Sequence, residues 1–189
     1  MASMIKMRKK MIVNLDCDGV MRDIVTPSLV IYKKHYDLNS NLKKEDVVDY
    51  DLHKYMPKLE YLALDLFIPF AKEIFREAPP TEEELGYIVN RIKKKNTVNI
   101  VTYQLCPEAK EHTVDWLKMY HVPYDKLIFV DTLEERIKLK GDFLIDDCID
   151  NLNGVKEGTQ SPICYNQPYN QKWAGPRIKT LRDLGFLMR

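Results

Sequence analysis

Short apolar runs alternate along the chain with longer stretches whose apolar residues recur every three to four positions, so strands are expected to alternate with helices. Strands are expected at residues 11–16 (MIVNLD), 98–102 (VNIVT), 127–130 (LIFV), 143–146 (FLID) and 162–165 (PICY). Each is short and mostly apolar, as strands buried on both faces of a parallel sheet are. Between the first two, Thr81 with Glu84 three residues on predicts a capping box after Pro79 and Pro80. Leu85, Ile88, Val89 and Ile92 then fall on one helical face, and Lys93, Lys94 and Lys95 suit the negative end of the helix dipole. A second helix is expected from Pro107, with Val114, Leu117 and Tyr120 as its apolar stripe.

This alternation predicts an α/β fold, a Rossmann-like three-layer core around a parallel sheet with right-handed crossovers. One stretch breaks the rhythm. Residues 22–75 are rich in Tyr, Leu, Lys and Asp and carry few β signals. They far exceed the ~10 to 12 residues that a crossover requires. They read as a small helical cap inserted after the first strand, over that strand's carboxyl end. The expected division is a core of residues 11–21 and 76–189, a cap of residues 22–75, and a tail of residues 1–10.

Composition narrows the class of ligand. With 29 basic and 28 acidic side chains among 189 residues, the net charge of +1 gives no long-range field to gather nucleic acid or an anionic membrane. Any anion must be recognised locally, which favours a small molecule. Cys17, Cys106, Cys148 and Cys164 form no Cys-x-x-Cys pair, which disfavours zinc and fits a reduced, cytoplasmic protein. The opening MASMIKMRKKM lacks the apolar stretch of a secretory signal, and no apolar run approaches the ~20 residues of a membrane helix.

In an open parallel sheet the ligand crevice lies at the carboxyl ends of the strands. The residues arriving there form a consistent set: Asp16 and Asp18 after the first strand, Thr102 after the second, and Asp146 with Asp147 after the fourth, with Arg136 shortly before. Asp16, Asp146 and Asp147 would repel one another without a cation among them, and their hard oxygens suit Mg2+. With that charge present Asp16 can stay ionised and attack phosphorus, giving an aspartyl-phosphate that water hydrolyses. Asp18 can reach the leaving oxygen as a general acid and later activate the water. Gly19 lets the backbone approach the substrate. Charge on the transferred phosphoryl oxygens calls for a hydroxyl and a cation, roles that suit Thr102 and Arg136, with Lys110 as a second cation.

The order of D-C-D-G-V, a threonine closing a later strand, a basic residue and an apolar strand ending in D-D resembles the haloacid dehalogenase superfamily of phosphatases. LDCDGV, the CPEAK segment, GDFLIDD and NQPYN followed by Trp173 resemble the 5'(3')-deoxyribonucleotidases and their bacterial and phage relatives, from Met11 to about Leu184. The resemblance implies hydrolysis of nucleoside 5'-monophosphates, with Asp16 as nucleophile and Asp18 as acid/base. It implies Mg2+ held by Asp16, Asp146 and the main-chain carbonyl of Asp18, with Asp147 supporting from behind. Thr102, Lys110 and Arg136 would hold the phosphate together with Tyr103, which stands where the family often has serine. The family usually has lysine where Arg136 aligns, and Lys138 or Lys140 is an alternative.

Other readings keep the chemistry and change the substrate to a sugar phosphate or a nucleic-acid 3' phosphate. A phospho-acceptor signalling domain is a further alternative, although its acidic pair comes early and its acceptor aspartate later. The expected partner is a small nucleotide, with no stable nucleic-acid partner and no membrane. Oligomeric state is left open, a homodimer included. Cys17 and Cys148 read as small buried residues beside a crowded site, the four histidines fall in no shared motif, and Trp173 reads as a packing anchor.

Overall fold

In the computed structural model, residues 9–155 and 159–187 are described. Residues 1–8 of the expected tail lie outside them. Six parallel strands form one sheet: β1 (Ile12–Leu15), β2 (Thr97–Tyr103), β3 (Lys126–Val130), β4 (Phe143–Asp146), β5 (Ser161–Tyr165) and β6 (Arg177–Ile178). Their order is β3-β2-β1-β4-β5-β6. The order reverses at β1, and a crevice opens at such a switch point, beyond the carboxyl ends of the central strands. Helices complete the layers: α1 (Val25–His35), α2 (Ala71–Phe75), α3 (Leu85–Lys93), α4 (Pro107–Met119), α5 (Leu133–Lys138), α6 (Ile149–Gly154) and α7 (Leu184–Leu187). The expected α/β parallel architecture is present. The sixth strand, two residues long, is too short for any periodicity to announce.

Register places the chemistry. Leu15 of β1 lies against Ile145 of β4. The main-chain NH of Asp16 then donates to the Ile145 carbonyl at 2.9 Å, so Asp16 and Asp146 leave neighbouring strand ends side by side. Within the sheet a buried amide ladder ties three segments: Asn99 donates to Asn14 at 2.9 Å, and Asn14 donates to Gln160 at 3.0 Å. Buried polar groups demand partners, and slipping β1 against β2 by one residue would break this chain.

Two details of the sequence reading are corrected. Thr81 does not cap α3. Its hydroxyl donates to the carbonyl of Val20 at 2.6 Å and its NH to that of Met21 at 2.8 Å. Glu82 meanwhile accepts from the NH of Leu181 at 2.6 Å. The helix therefore begins later, after Glu84, which adopts a left-handed φ of 57°. The loop after β1 offers unpaired carbonyls, and Thr81 serves those instead. In α4 the buried face runs through Ala109, Thr113, Trp116 and Leu117, with Val114 and Tyr120 only half-buried. Trp116, whose indole NH donates to the Ala78 carbonyl at 2.8 Å, is the larger anchor and sets the helix's rotation.

The apolar interior has two parts. Strand residues Val13, Leu15, Val98, Ile100 and Ile145 pack with Ile88, Val89 and Ile92 of α3 and with Trp116 and Leu117 of α4. Residues between β1 and α3 gather a second cluster, including Leu29, Tyr32, Met56, Leu66, Ile74 and Phe75, and α4 contributes Ala109 to it. The segment from Leu62 to Phe67 winds as a π-helix, with the Asp65 carboxylate accepting from the NH groups of Glu60 and Tyr61. The chain leaves and rejoins the sheet layer through two adjacent strips. Asp23 donates to the Pro79 carbonyl at 2.9 Å, and Thr81 donates back to Met21.

Candidate active site

The loop after β1 turns sharply because Gly19 adopts a φ of +81°, and a Cβ there would sit 2.2 Å from Asp147 Oδ2. Only glycine allows both the turn and the approach of Asp147. Asp16, Asp146 and Asp147 are all buried, and each offers a carboxylate oxygen within 4.8 Å of the others'.

Arg136 is buried among them. One of its nitrogens donates to Asp16 Oδ1 at 2.7 Å and to Asp146 Oδ2 at 2.5 Å. Helix α5 brings it there: the Thr132 side chain caps the helix by accepting from the NH of Glu135, and Arg136 is its buried residue. Asp146 is further fixed by the NH of Cys148 at 2.9 Å and by Asn151, whose amide reaches both oxygens at 3.1 and 3.0 Å. Asp147 accepts from the Tyr169 hydroxyl at 2.6 Å, and Asn170 ties down the Asp147 carbonyl at 2.9 Å.

Burial pushes the Asp16 carboxyl well above the usual carboxylate range. Arg136 opposes this, while Asp146, Asp147 and Asp18 add to it. Burial likewise raises Asp147 to about 7, with Asp146 adding and the Tyr169 hydroxyl opposing. Burial acts against the Arg136 charge, but Asp16 and Asp146 outweigh it and hold the guanidinium firmly protonated. Three carboxylates facing one guanidinium leave excess negative charge in a place shielded from water. A divalent cation fits this donor set, being bound by carboxylate oxygens and relieving the repulsion. The hydrogen bonds above engage Asp16 through Oδ1 and Asp147 through Oδ2.

Asp18 is held separately, by Arg22 Nε on Oδ1 at 2.6 Å and by Gln104 Nε2 on Oδ2 at 2.8 Å. The same Gln104 amide donates to the hydroxyl of buried Thr102 at 3.0 Å. Gln104 thereby links Thr102 to Asp18.

The other expected phosphate ligands lie in different settings. Tyr103 closes β2 with 51% of its surface exposed. The Lys110 ammonium lies 3.5 Å from Asp131 and 5.6 Å from the centre of the Phe129 ring, half in solvent. Arg136 lies on the carboxylates of Asp16 and Asp146, whereas the sequence reading made it a ligand of the phosphate. Lys138 and Lys140, the alternatives, are both exposed, Lys138 as a partner of Glu134.

The structure also brings in residues that motif spacing passed over. Arg22 had been read as the first residue of the insertion, although it belongs to the loop by its contacts. Asn151 and Gln104 carry no signal of their own. Tyr169 and Asn170 lie inside the NQPYN segment, where their chemistry is visible only once that segment folds against Asp147. Cys17 and Cys148 are buried, and burial raises both thiols, Cys148 to about 11. That favours the neutral, unreactive form.

No curated protein matches the sequence. Several solved structures share the architecture. A candidate phosphoglycolate phosphatase from Lactobacillus delbrueckii subsp. bulgaricus aligns with a TM-score of 0.67 at 12% identity, covering 96% of this chain and 99% of its own. A haloacid dehalogenase-like hydrolase from Streptococcus pneumoniae gives 0.62 at 12%, covering 95% and 99%. The L-2-haloacid dehalogenase of Xanthobacter autotrophicus gives 0.60 at 12%, covering 96% and 99%. At such identity these likenesses speak for the fold alone. The sequence itself, over residues 10–184, matches the family described as 5' nucleotidase, deoxy (pyrimidine), cytosolic type C protein. With this match over nearly its whole length, the chain belongs to that 5'-nucleotidase family of phosphomonoester hydrolases, built on the fold shared with the haloacid dehalogenase-like structures above.

Proposed function

We propose that the protein hydrolyses deoxynucleoside 5'-monophosphates with the help of Mg2+, using Asp16 as nucleophile and Asp18 as acid/base. The observation that carries this reading is the buried set of Asp16, Asp146 and Asp147 around Arg136, at adjacent strand ends of a chain in a 5'-nucleotidase family. Asp16, Asp146, the Asp18 carbonyl and Asp147 would hold the ion. When bound, it neutralises carboxylate charge and attracts the phosphoryl oxygens.

The chain's own residues account for the rest. Arg136 opposes protonation of Asp16 and engages the oxygen Oδ1, so that Oδ2 is the one presented to phosphorus. Attack forms an Asp16–phosphorus bond as the bond from phosphorus to the nucleoside 5'-oxygen breaks, and Asp18 gives that oxygen its proton. Asp18 then takes a proton from water, which cleaves the aspartyl-phosphate and releases phosphate. Thr102 and Lys110 would hold the phosphoryl oxygens, and Tyr103 flanks the same strand end. Residues 22–75 would act as a cap that excludes water. In support, Tyr50 from this segment meets edge-on, at 5.6 Å, the ring of Tyr169, whose hydroxyl donates to Asp147.

A panel of phosphomonoesters with added Mg2+ or EDTA, comprising dUMP, dTMP, dCMP, dGMP, their ribose counterparts and sugar phosphates, tests the reading. The deoxynucleotides should be turned over fastest, and EDTA should stop turnover. Asp16→Asn should lower turnover by at least about 1,000-fold while circular dichroism stays unchanged. Mg2+-dependent phosphate release by that variant, or a preference for sugar phosphates, would overturn it.

A further inference from the structure

Arg22 is fully buried, and an enclosed cation is tolerated only when its partners compensate for lost water. Its partners come from three parts of the chain. Nε donates to Asp18 Oδ1 at 2.6 Å, one terminal nitrogen donates to the Phe75 carbonyl at the end of α2, and the other donates to the Thr113 hydroxyl on α4 at 3.0 Å. The guanidinium also lies over the Phe75 and Trp116 rings, at 5.3 and 5.4 Å from their centres. A planar fork can serve three directions at once; a lysine ammonium on its flexible stem cannot reproduce this.

The backbone adds a second restraint. The NH of Gly19 donates to the Arg22 carbonyl at 2.8 Å, and the NH of Arg22 donates to the Cys17 carbonyl at 2.9 Å. Arg22 also bridges Asp18 on one side and Pro80 on the other, between the two strips through which residues 22–75 leave and return.

We propose that Arg22 is a positioning residue, anchoring Asp18 through Oδ1 so that Oδ2 is the oxygen that transfers the proton, and tying that placement to the seat of the cap. The inference rests on the acid/base role of Asp18 given above. Both oxygens of Asp18 accept N–H bonds at rest, and a proton can pass only if one donor yields. The Gln104 amide is neutral, and charge-assisted bonds are the stronger, so Gln104 yields and Arg22 holds. Gln104 Oε1 is itself buried without a hydrogen-bond partner among the described residues, which leaves its amide free to turn when a substrate oxygen arrives. Because the Phe75 carbonyl shares the guanidinium, a shift of α2 relative to the sheet moves the anchor of Asp18.

The test compares first-turnover release of nucleoside from dUMP with release of p-nitrophenol from p-nitrophenyl phosphate, whose leaving group departs without a proton. Arg22→Met should slow nucleoside release by about 100-fold, with half-saturating dUMP within about threefold of the parent, and should slow p-nitrophenol release by less than about tenfold. Arg22→Lys should recover part of the nucleoside rate. Equal losses on both esters, or a change confined to half-saturation, would show a purely structural role and overturn the proposal. If Arg22→Met shows no cooperative melting, Thr113→Val, which removes one support of the fork and keeps the charge, decides instead. It should slow nucleoside release about fivefold and p-nitrophenol release not at all, and parental rates on both would overturn the proposal. Asp18→Asn runs alongside: parental nucleoside release there removes the acid role and this inference with it. Loss in Asp18→Asn with parental behaviour in the Arg22 variants removes only the latter.

Discussion

Around the sheet, regular strands bury Val13, Leu15, Ile100 and Ile145 completely, Asp146 accepts from Arg136, Cys148 and Asn151, and Asp147 accepts from Tyr169. Residues 22–75 are built otherwise. Short helical turns and a π-helix enclose Leu66 and Met56, yet Val30, Leu38, Tyr61 and Leu64 stay largely in solvent. The difference separates two tasks. A carboxylate cluster must be over-determined, since each buried charge needs fixed partners, whereas a layer proposed to cover a ligand needs only a cluster large enough to hold its own shape.

The sharpest way to break that contrast is Arg136→Met, which leaves Asp16 and Asp146 buried without their cation. Loss of one partner from a buried pair costs about 3–5 kcal/mol, so the melting temperature should fall by about 10 °C and recover in part on adding Mg2+. An unchanged melting temperature would show that Arg136 does not hold the cluster together.

A smaller effect is expected on the other side. Leu66→Ala opens a hole in the second cluster and should destabilise by about 3 kcal/mol. Added Mg2+ should still raise the melting temperature of this variant as much as that of the parent, because the carboxylates belong to the sheet. Loss of that response would merge the two regions into one unit.

The smallest effect is a pH dependence in the presence of EDTA. Burial raises Asp147 to about 7 and Asp16 in the same direction, so the folded chain binds more protons than the unfolded one between about pH 4 and 7. That stability is fully present below the unfolded carboxyl value and is lost as pH rises through the folded one. Without metal the melting temperature should therefore drop by about 5 °C from pH 5 to pH 8. Mg2+, which binds the ionised cluster, should oppose the drop. A melting temperature that rises over this range would remove the carboxylate cluster as the cause.

Much was visible in the order of residues. Five of six strands follow from short apolar runs, because strands buried on both faces leave an unbroken apolar signal. The acidic residues after β1 and β4 were identifiable because a parallel sheet presents strand ends along one edge, so position in sequence translates into position in space. Thr81 shows where such reading stops: Thr-x-x-Glu looks like a cap, yet the buried carbonyls of the Val20–Met21 turn compete for the same hydroxyl.

The D-C-D-G-V loop, Thr102 and Asp146-Asp147 were thus determined by the sequence itself, since each is a short motif tied to a strand end. Only the tertiary structure decided what surrounds them. Arg136 turns onto the carboxylates, Tyr169 crosses from the loop after β5 to Asp147, and Arg22 joins Asp18 to α2 and α4. Apart from Arg22 to Asp18, which share a loop, each of these contacts joins residues on separate elements. Its existence depends on packing and on the need to compensate buried charge, which no local pattern encodes.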